Sequence, residues 1–182
     1  MLVAPFNCRN LRMQARDRAD VLVVDDNPAN IELLVAILSG RGFRVRVANS
    51  GARALAAARA DLPDLIMLDI AMPKMDGYEV CRQLKAEPST QAVPVIFLSA
   101  LSGAIDKVQA FAAGGADYVA KPFQLEEVVA RVENQIKIAC LQRKRRARNA
   151  ELAAVNQDLV AQTAATGTRQ CATARSSPRA TA

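Results

Sequence analysis

The sequence predicts an α/β fold: one parallel sheet of five strands, helices on both of its faces, and a helical extension at the C-terminal end. Three observations carry this. Short apolar runs alternate five times with stretches of helical periodicity, the pattern of strand and helix repeats. The middle runs are apolar throughout, as expected of strands covered on both sides. The runs also end abruptly, in Asp25-Asp26, Asp69, Ser99 and Lys121.

The elements follow in order. Val21–Val24 is the first strand, and Asn27-Pro28 opens a helix to Ser39, with Ile31, Leu33, Leu34 and Ile37 spaced for one face and Gly40 as its stop. Phe43–Ala48 alternates strictly, as a strand with one partly wet face does. Ala52–Ala60 is helical, Leu65–Leu68 a central strand ending in Asp69, and Gly77–Ala86 a helix with Asp76 as its cap. Val93–Leu98 is the fourth strand, Ile105–Ala113 a helix closed by Gly114 and Gly115, and Tyr118–Ala120 a short fifth strand. A last helix starts near Leu125 and meets no Gly or Pro until Gly167. Along it Ile138, Leu141, Leu152, Val155 and Leu159 fall on steps of three and four, with Arg145 and Arg148 in the same seam. A short coiled-coil segment, which makes a homodimer through this helix an expectation, and a single amphipathic surface helix both fit. Residues 161–182 lack an apolar period and read as disordered, residues 1–18 as a disordered or poorly ordered extension, residues 19–138 as the folded domain, and 139–160 as a helical linker.

Composition excludes several classes of function. Among 182 residues there is no His, which removes the usual general base and the commonest metal ligand. Any metal must accept oxygen ligands, which points to a hard ion such as Mg²⁺. No apolar run is long enough to cross a bilayer, and the N-terminus lacks the basic-then-apolar order of a secretory signal, so the expected compartment is cytoplasmic with no membrane partner. Cys8, Cys81, Cys140 and Cys171 show no CxxC spacing, which predicts reduced thiols and argues against zinc. Charge is uneven: the formal net charge is +6, and residues 143–182 hold eight basic side chains against two acidic ones.

In an open parallel sheet, ligands bind beyond the carboxyl ends of the strands. There Asp25, Asp26, Asp69, Ser99 and Lys121 would meet. Three carboxylates repel one another unless cations intervene, and a divalent ion together with Lys121 would supply that compensation. A metal, a free carboxylate, a hydroxyl and an ammonium suit phosphoryl transfer, with Asp69 as nucleophile and no base required. Blander roles exist for each residue: a helix cap for Asp25 and Asp26, a turn for Asp69, a solvated Lys121, a strand-end Ser99, core packing for Tyr118.

The segments VLVVDDNPAN, DLIMLDIAMPKMDGYEVC, VPVIFLSA and GADYVAKPF resemble, in order, the receiver domain of bacterial two-component response regulators. The resemblance implies a flavodoxin-like strand order of 2-1-3-4-5. It implies that Asp69 is the phosphoacceptor, and that Mg²⁺ or Mn²⁺ is held by Asp26, Asp69 and the Ala71 backbone carbonyl, with Asp25 acting through water. It further implies Ser99 and Lys121 as catalytic groups, Ser99 and Tyr118 as the switch, and a cis peptide between Lys121 and Pro122. A histidine kinase or phosphotransfer protein would be the phosphodonor, and the surface of the fourth helix, fifth strand and fifth helix would change on phosphorylation. The domain would then be a signalling phosphoacceptor rather than a turnover enzyme.

Rival readings differ at particular residues. Phosphatases of the haloacid dehalogenase type resemble a D-x-D pattern, and the position two past Asp69 is Ala71, which lacks the second carboxylate. Ala71 and Leu101 offer no polar group to orient water, so slow loss of phosphate is expected. Arg143–Arg148 can bind nucleic acid phosphates, although no helix-turn-helix pattern follows. Receivers followed by a heptad-like helix also resemble the input modules of longer regulators with kinase, cyclase or phosphodiesterase outputs, so the expectation is either a fragment of such a protein or a stand-alone receiver.

Overall fold

A computed structural model describes the backbone of residues 18–100 and 104–173, and side chains of 18–100 and 108–157. Its elements are β1 (Asp20–Val24), α1 (Pro28–Gly40), β2 (Arg44–Ala48), α2 (Gly51–Ala60), β3 (Leu65–Asp69), α3 (Gly77–Ala86), β4 (Val95–Ser99), α4 (Ala104–Ala112), β5 (Asp117–Ala120) and α5 (Leu125–Thr173). All strands are parallel and the sheet order is β2-β1-β3-β4-β5. The two units of the chain divide between Leu141 and Gln142. No described helix is long and apolar enough to cross a membrane.

Strand parity sorts the core into two layers. Val21, Val23, Leu65, Met67, Ile96 and Leu98 pack with Leu34, Ile37 and Leu38 of α1 and Val128, Val129 and Val132 of α5. The alternate residues Leu22, Val24, Ile66, Leu68, Val95 and Phe97 pack with α2 and α3, through Ala54, Leu55, Ala58, Val80, Cys81 and Leu84. Because successive strand side chains point to opposite faces, an apolar run of five covers both. That is the doubly wound arrangement the sequence predicts.

Local chemistry sets the boundaries. Asn27 caps α1 by accepting from the Ala29 N–H at 3.0 Å, with Pro28 in the first turn. Asp76 caps α3, accepting from the Glu79 N–H at 2.7 Å. The stop of α1 is not Gly40, as the sequence suggests: the helix includes it, and Gly42 takes the left-handed conformation with φ 84, donating to the Ser39 carbonyl at 3.0 Å. Only there does the turn into β2 require a residue without a Cβ. Strand β4 begins at Val95 rather than Val93 because Pro94 has no N–H for the ladder, while its carbonyl accepts from Ile66 at 3.0 Å. Helix α5 continues to Thr173, past the expected end near Val160; Ala161, Ala164 and Ala165 are strong helix formers. Residues 1–17 and 174–182, where the remaining disordered segments are expected, lie outside the described residues, as does Leu101.

The cysteines divide. Cys81 is a free, buried thiol pushed up to about 11 by burial. Cys140 is disulfide-bonded, against the expectation of reduced thiols. The scattered spacing of the cysteines did not signal it.

Arg46 departs from its expected wet position on the edge strand β2. Its Nε donates to Asp20 Oδ1 at 3.0 Å, and its other nitrogens donate to the carbonyls of Ala57 at 3.2 Å and Asp61 at 2.7 Å. Asp20 is fully buried, with Arg44 at 3.4 Å as a second cation. One guanidinium thus ties β2 to β1 and to the end of α2. Removing one partner of a buried ion pair leaves an uncompensated charge. Arg46→Met is expected to cost about 3 kcal/mol, somewhat eased by Arg44, as read from the urea midpoint at unchanged slope.

Candidate phosphoryl-transfer and metal site

The strands deliver their terminal residues to one end of the sheet. Asp69 closes β3 and Ser99 closes β4, while Asp25 and Asp26 follow β1 and Lys121 follows β5. Asp69 pairs in register with Leu98, and Ser99 with Ala120, so β4 ends beside Asp69 and β5 ends beside Ser99. The backbone carries the pattern one step further, with Lys121 N–H donating to the Ser99 carbonyl at 2.7 Å and Ile70 N–H to the Leu98 carbonyl at 3.2 Å. The peptide between Lys121 and Pro122 is cis.

Three carboxylates meet there. One oxygen each of Asp25, Asp26 and Asp69 lies within 4.8 Å of the others; Asp25 and Asp69 are buried and Asp26 is exposed. Lys121 Nζ donates to Asp25 Oδ2 and Asp69 Oδ1, each at 2.9 Å. Burial pulls the Lys121 ammonium down, and its hydrogen bonds and charge contacts with Asp69 and Asp25 outweigh that, so its pKa is raised. The Asp69 carboxyl is raised, first by burial and further by the charges of Asp25 and Asp26, with Lys121 pulling the other way.

Asp25 is held rather than free. Its Oδ1 accepts from the Asn27 N–H at 2.8 Å and the Asn30 side-chain amide at 3.1 Å, and its Oδ2 accepts from Asn30 again at 3.0 Å. Asn30 is a residue that sequence reasoning missed. The available signal was a second amide in the first turn of α1, within reach of the strand end. Behind Asp69 the loop returns closely: Gly77 N–H donates to the Ile70 carbonyl at 3.0 Å, and a Cβ on Gly77 would run into the Asp69 carbonyl oxygen. Gly77 is therefore required by a close approach. Within that loop Lys74 adopts φ 71.

The remaining sequence candidates fall around this centre. Ala71 stands exposed, two residues past Asp69. Ser99 is 5 % exposed. Tyr118 is half-buried on β5, packed against the α2–α3 layer, with Arg131 stacked 5.4 Å from its ring centroid. Arg131 is fixed in turn by Asp117 at 2.7 Å and Glu127 at 2.9 Å. Beside Asp26 a cleft of about 370 Å³ opens between Pro28, Ile31, Val47 and Arg53.

Oxygen donors alone, two of them buried, with one ammonium against three acids, fit a hard divalent cation rather than a soft one. An α/β sheet with such an acid cluster defines a class of domain whose ligand site lies beyond the carboxyl ends of the strands. The match to known proteins is more particular. The family model described as response regulator receiver domain matches residues 21–133, and the chain belongs to that family. It is 45 % identical over 116 residues to the response regulator PleD of Caulobacter vibrioides, covering 64 % of this chain and 26 % of PleD. It is 42 % identical over 120 residues to the DNA-binding response regulator MtrA of Mycolicibacterium smegmatis, covering 66 % of this chain and 51 % of MtrA. The chain thus spans only about a quarter to a half of these curated relatives. Among solved structures it is similar to the receiver domain of the sensor histidine kinase PA1611 from Pseudomonas aeruginosa, which has a magnesium ion coordinated in its active site cleft. That match has a TM-score of 0.62 and 32 % identity, over 66 % of this chain and 98 % of the other.

If Asn30 fixes Asp25, removing its amide loosens the acid cluster. Asn30→Ala is expected to weaken divalent-cation binding on the order of tenfold, the scale of lost outer-shell partners. Calorimetric titration with MgCl₂ measures it.

Proposed function

We propose that Asp69 takes a phosphoryl group from a phosphohistidine of a histidine kinase or phosphotransfer protein, with Mg²⁺ or Mn²⁺ bound by Asp26, Asp69 and the Ala71 carbonyl and Asp25 acting through water. The observation that supports this most directly is the Lys121 ammonium between two buried carboxylates whose cluster presents its third acid to solvent. A carboxylate oxygen of Asp69 attacks phosphorus, the N–P bond breaks, and the electron pair leaves with the partner's imidazole. The divalent ion supplies neutralisation of the phosphoryl oxygens. Lys121 holds Asp69 in place before transfer and pairs with a phosphoryl oxygen after it, and Ser99 donates to another. The acyl phosphate adds about 1.5–2 negative charges at a buried strand end. Ser99 and Tyr118 then transmit the change to the surface of α4, β5 and α5, where an output module or partner reads it, a shift that needs only a few kcal/mol.

The domain acts as a signalling phosphoacceptor, with no turnover on an external ester. Ala71 carries no second carboxylate for a leaving group, in contrast to the D-x-D phosphatase pattern.

Incubation of the full chain with phosphoramidate and MgCl₂, followed by intact mass, is expected to show the gain of one phosphoryl group. Asp69→Asn and excess EDTA should each abolish it. Modification persisting in Asp69→Asn would overturn the assignment.

The exposed Ala71 also bears on the reverse reaction, since its methyl group orients no attacking water. The phosphorylated protein is expected to retain its phosphoryl group for minutes or longer after donor removal, followed by mass; a decay within seconds contradicts it.

A further inference from the structure

Helix α5 carries a second stripe outside the domain core. In the first unit Ile138 and Leu141 are 38 % and 55 % exposed; in the second, Leu152 and Val155 are 56 % and 51 % exposed. Along the sequence, positions 138, 141, 145, 148, 152 and 155 advance by alternating steps of three and four, the spacing of a coiled-coil seam. The two middle layers are Arg145 and Arg148, both exposed. No acidic residue stands between Glu133 and Glu151, while Arg143, Lys144, Arg145, Arg146 and Arg148 all fall there.

That charge decides the occupant. We propose that the seam takes an amphipathic helix of a different protein, one with carboxylates in its two central layers, and that a second copy of this chain is rejected by arginine facing arginine. Pairing two copies in parallel puts Arg145 against Arg145 and Arg148 against Arg148. Pairing them antiparallel about the seam's centre puts Arg145 against Arg148. Paired helices lie about 8–10 Å apart, roughly one Debye length at physiological salt, so the repulsion between the facing basic clusters is partly screened there and strengthens as salt is lowered. The guanidinium heads can swing out to water only by opening those two layers. A carboxylate in the facing layer reverses the sign and matches the guanidinium fork in two-point geometry. Polar residues in core layers select partners in this way, at a cost in stability. Nucleic acid phosphates would also meet the arginines, but they offer nothing to Leu152 and Val155, whose spacing a helix matches.

This inference is independent of the chemistry at Asp69, and its test involves no phosphoryl transfer. The probe is a charge-reversed second copy, the full chain with Arg145→Glu and Arg148→Glu. Sedimentation equilibrium at low salt is expected to show wild type alone and variant alone as monomers, and their mixture as a one-to-one dimer. The mixed dimer should weaken as salt rises, and should be lost when Leu152→Asp is added to the variant. Circular dichroism checks that each chain keeps its helix content. Wild type that dimerises as well as the mixture overturns the proposal in favour of a homodimer. A mixture that stays monomeric while wild type binds a random DNA duplex, with binding lost in the variant, overturns it in favour of nucleic acid. A monomeric mixture with no DNA binding overturns it outright.

Discussion

The ammonium of Lys121, 2.9 Å from both Asp25 and Asp69, is the contact on which the strand-end site depends. Two unit charges 4.8 Å apart interact by roughly 3 kcal/mol at an effective dielectric of about 20, so three carboxylates within that distance oppose one another strongly. Lys121 offsets the repulsion between the two buried acids. Asp26 is the exposed member, so the uncompensated charge faces water. An entering cation therefore finds an uncompensated acid on the accessible side and, behind it, a pair that one ammonium only half offsets. The same ammonium pulls the Asp69 carboxyl down against the rise that burial imposes.

The fold's contribution is to make that arrangement stiff. The parallel ladder sets Asp69 beside Leu98 and Ser99 beside Ala120, so the strand ends are fixed by backbone pairing rather than by the charges themselves. Asn27 and Asn30 then fix the rotamer of Asp25, and the Gly77 turn presses against the Asp69 carbonyl. At the far end of β1, Asp20 and Arg46 form a buried pair of their own. No buried side-chain nitrogen or oxygen among the described residues lacks a partner. Charge is thus concentrated at the two ends of an apolar strand, with the middle left to packing.

Much of this was legible in the sequence for a definite reason. A strand covered on both faces must be apolar at every position, so a carboxylate ending the run stands out, and Asp25, Asp69, Ser99 and Lys121 could be placed at one end from topology alone. What the sequence hid were contacts between elements. Arg46 lies 26 residues from Asp20 and reads as a wet edge position until the end of α2 is seen to supply two carbonyls. Asn30 looks like any polar residue of a first turn. The choice between Gly40 and Gly42 rests on which carries positive φ, a property of the turn into β2 rather than of composition.

Helix α5 shows how one element carries two sequence patterns at once. Val128, Val132, Ile136 and Ala139 are buried, on steps of three and four that follow one face of the helix. Ile138 is two residues past Ile136, about 200° round the helix axis, and starts a separate stripe with the same spacing. Because the two stripes share a period but not a phase, the exposed one is not the core pattern running on beyond need. A residue such as Leu141, 55 % exposed one position after a buried Cys140, cannot be shifted into the core without rotating Val128 and Val132 out of it. The apolar character of the second stripe is therefore unexplained by the stability of the receiver domain, and its arginines give it a sign.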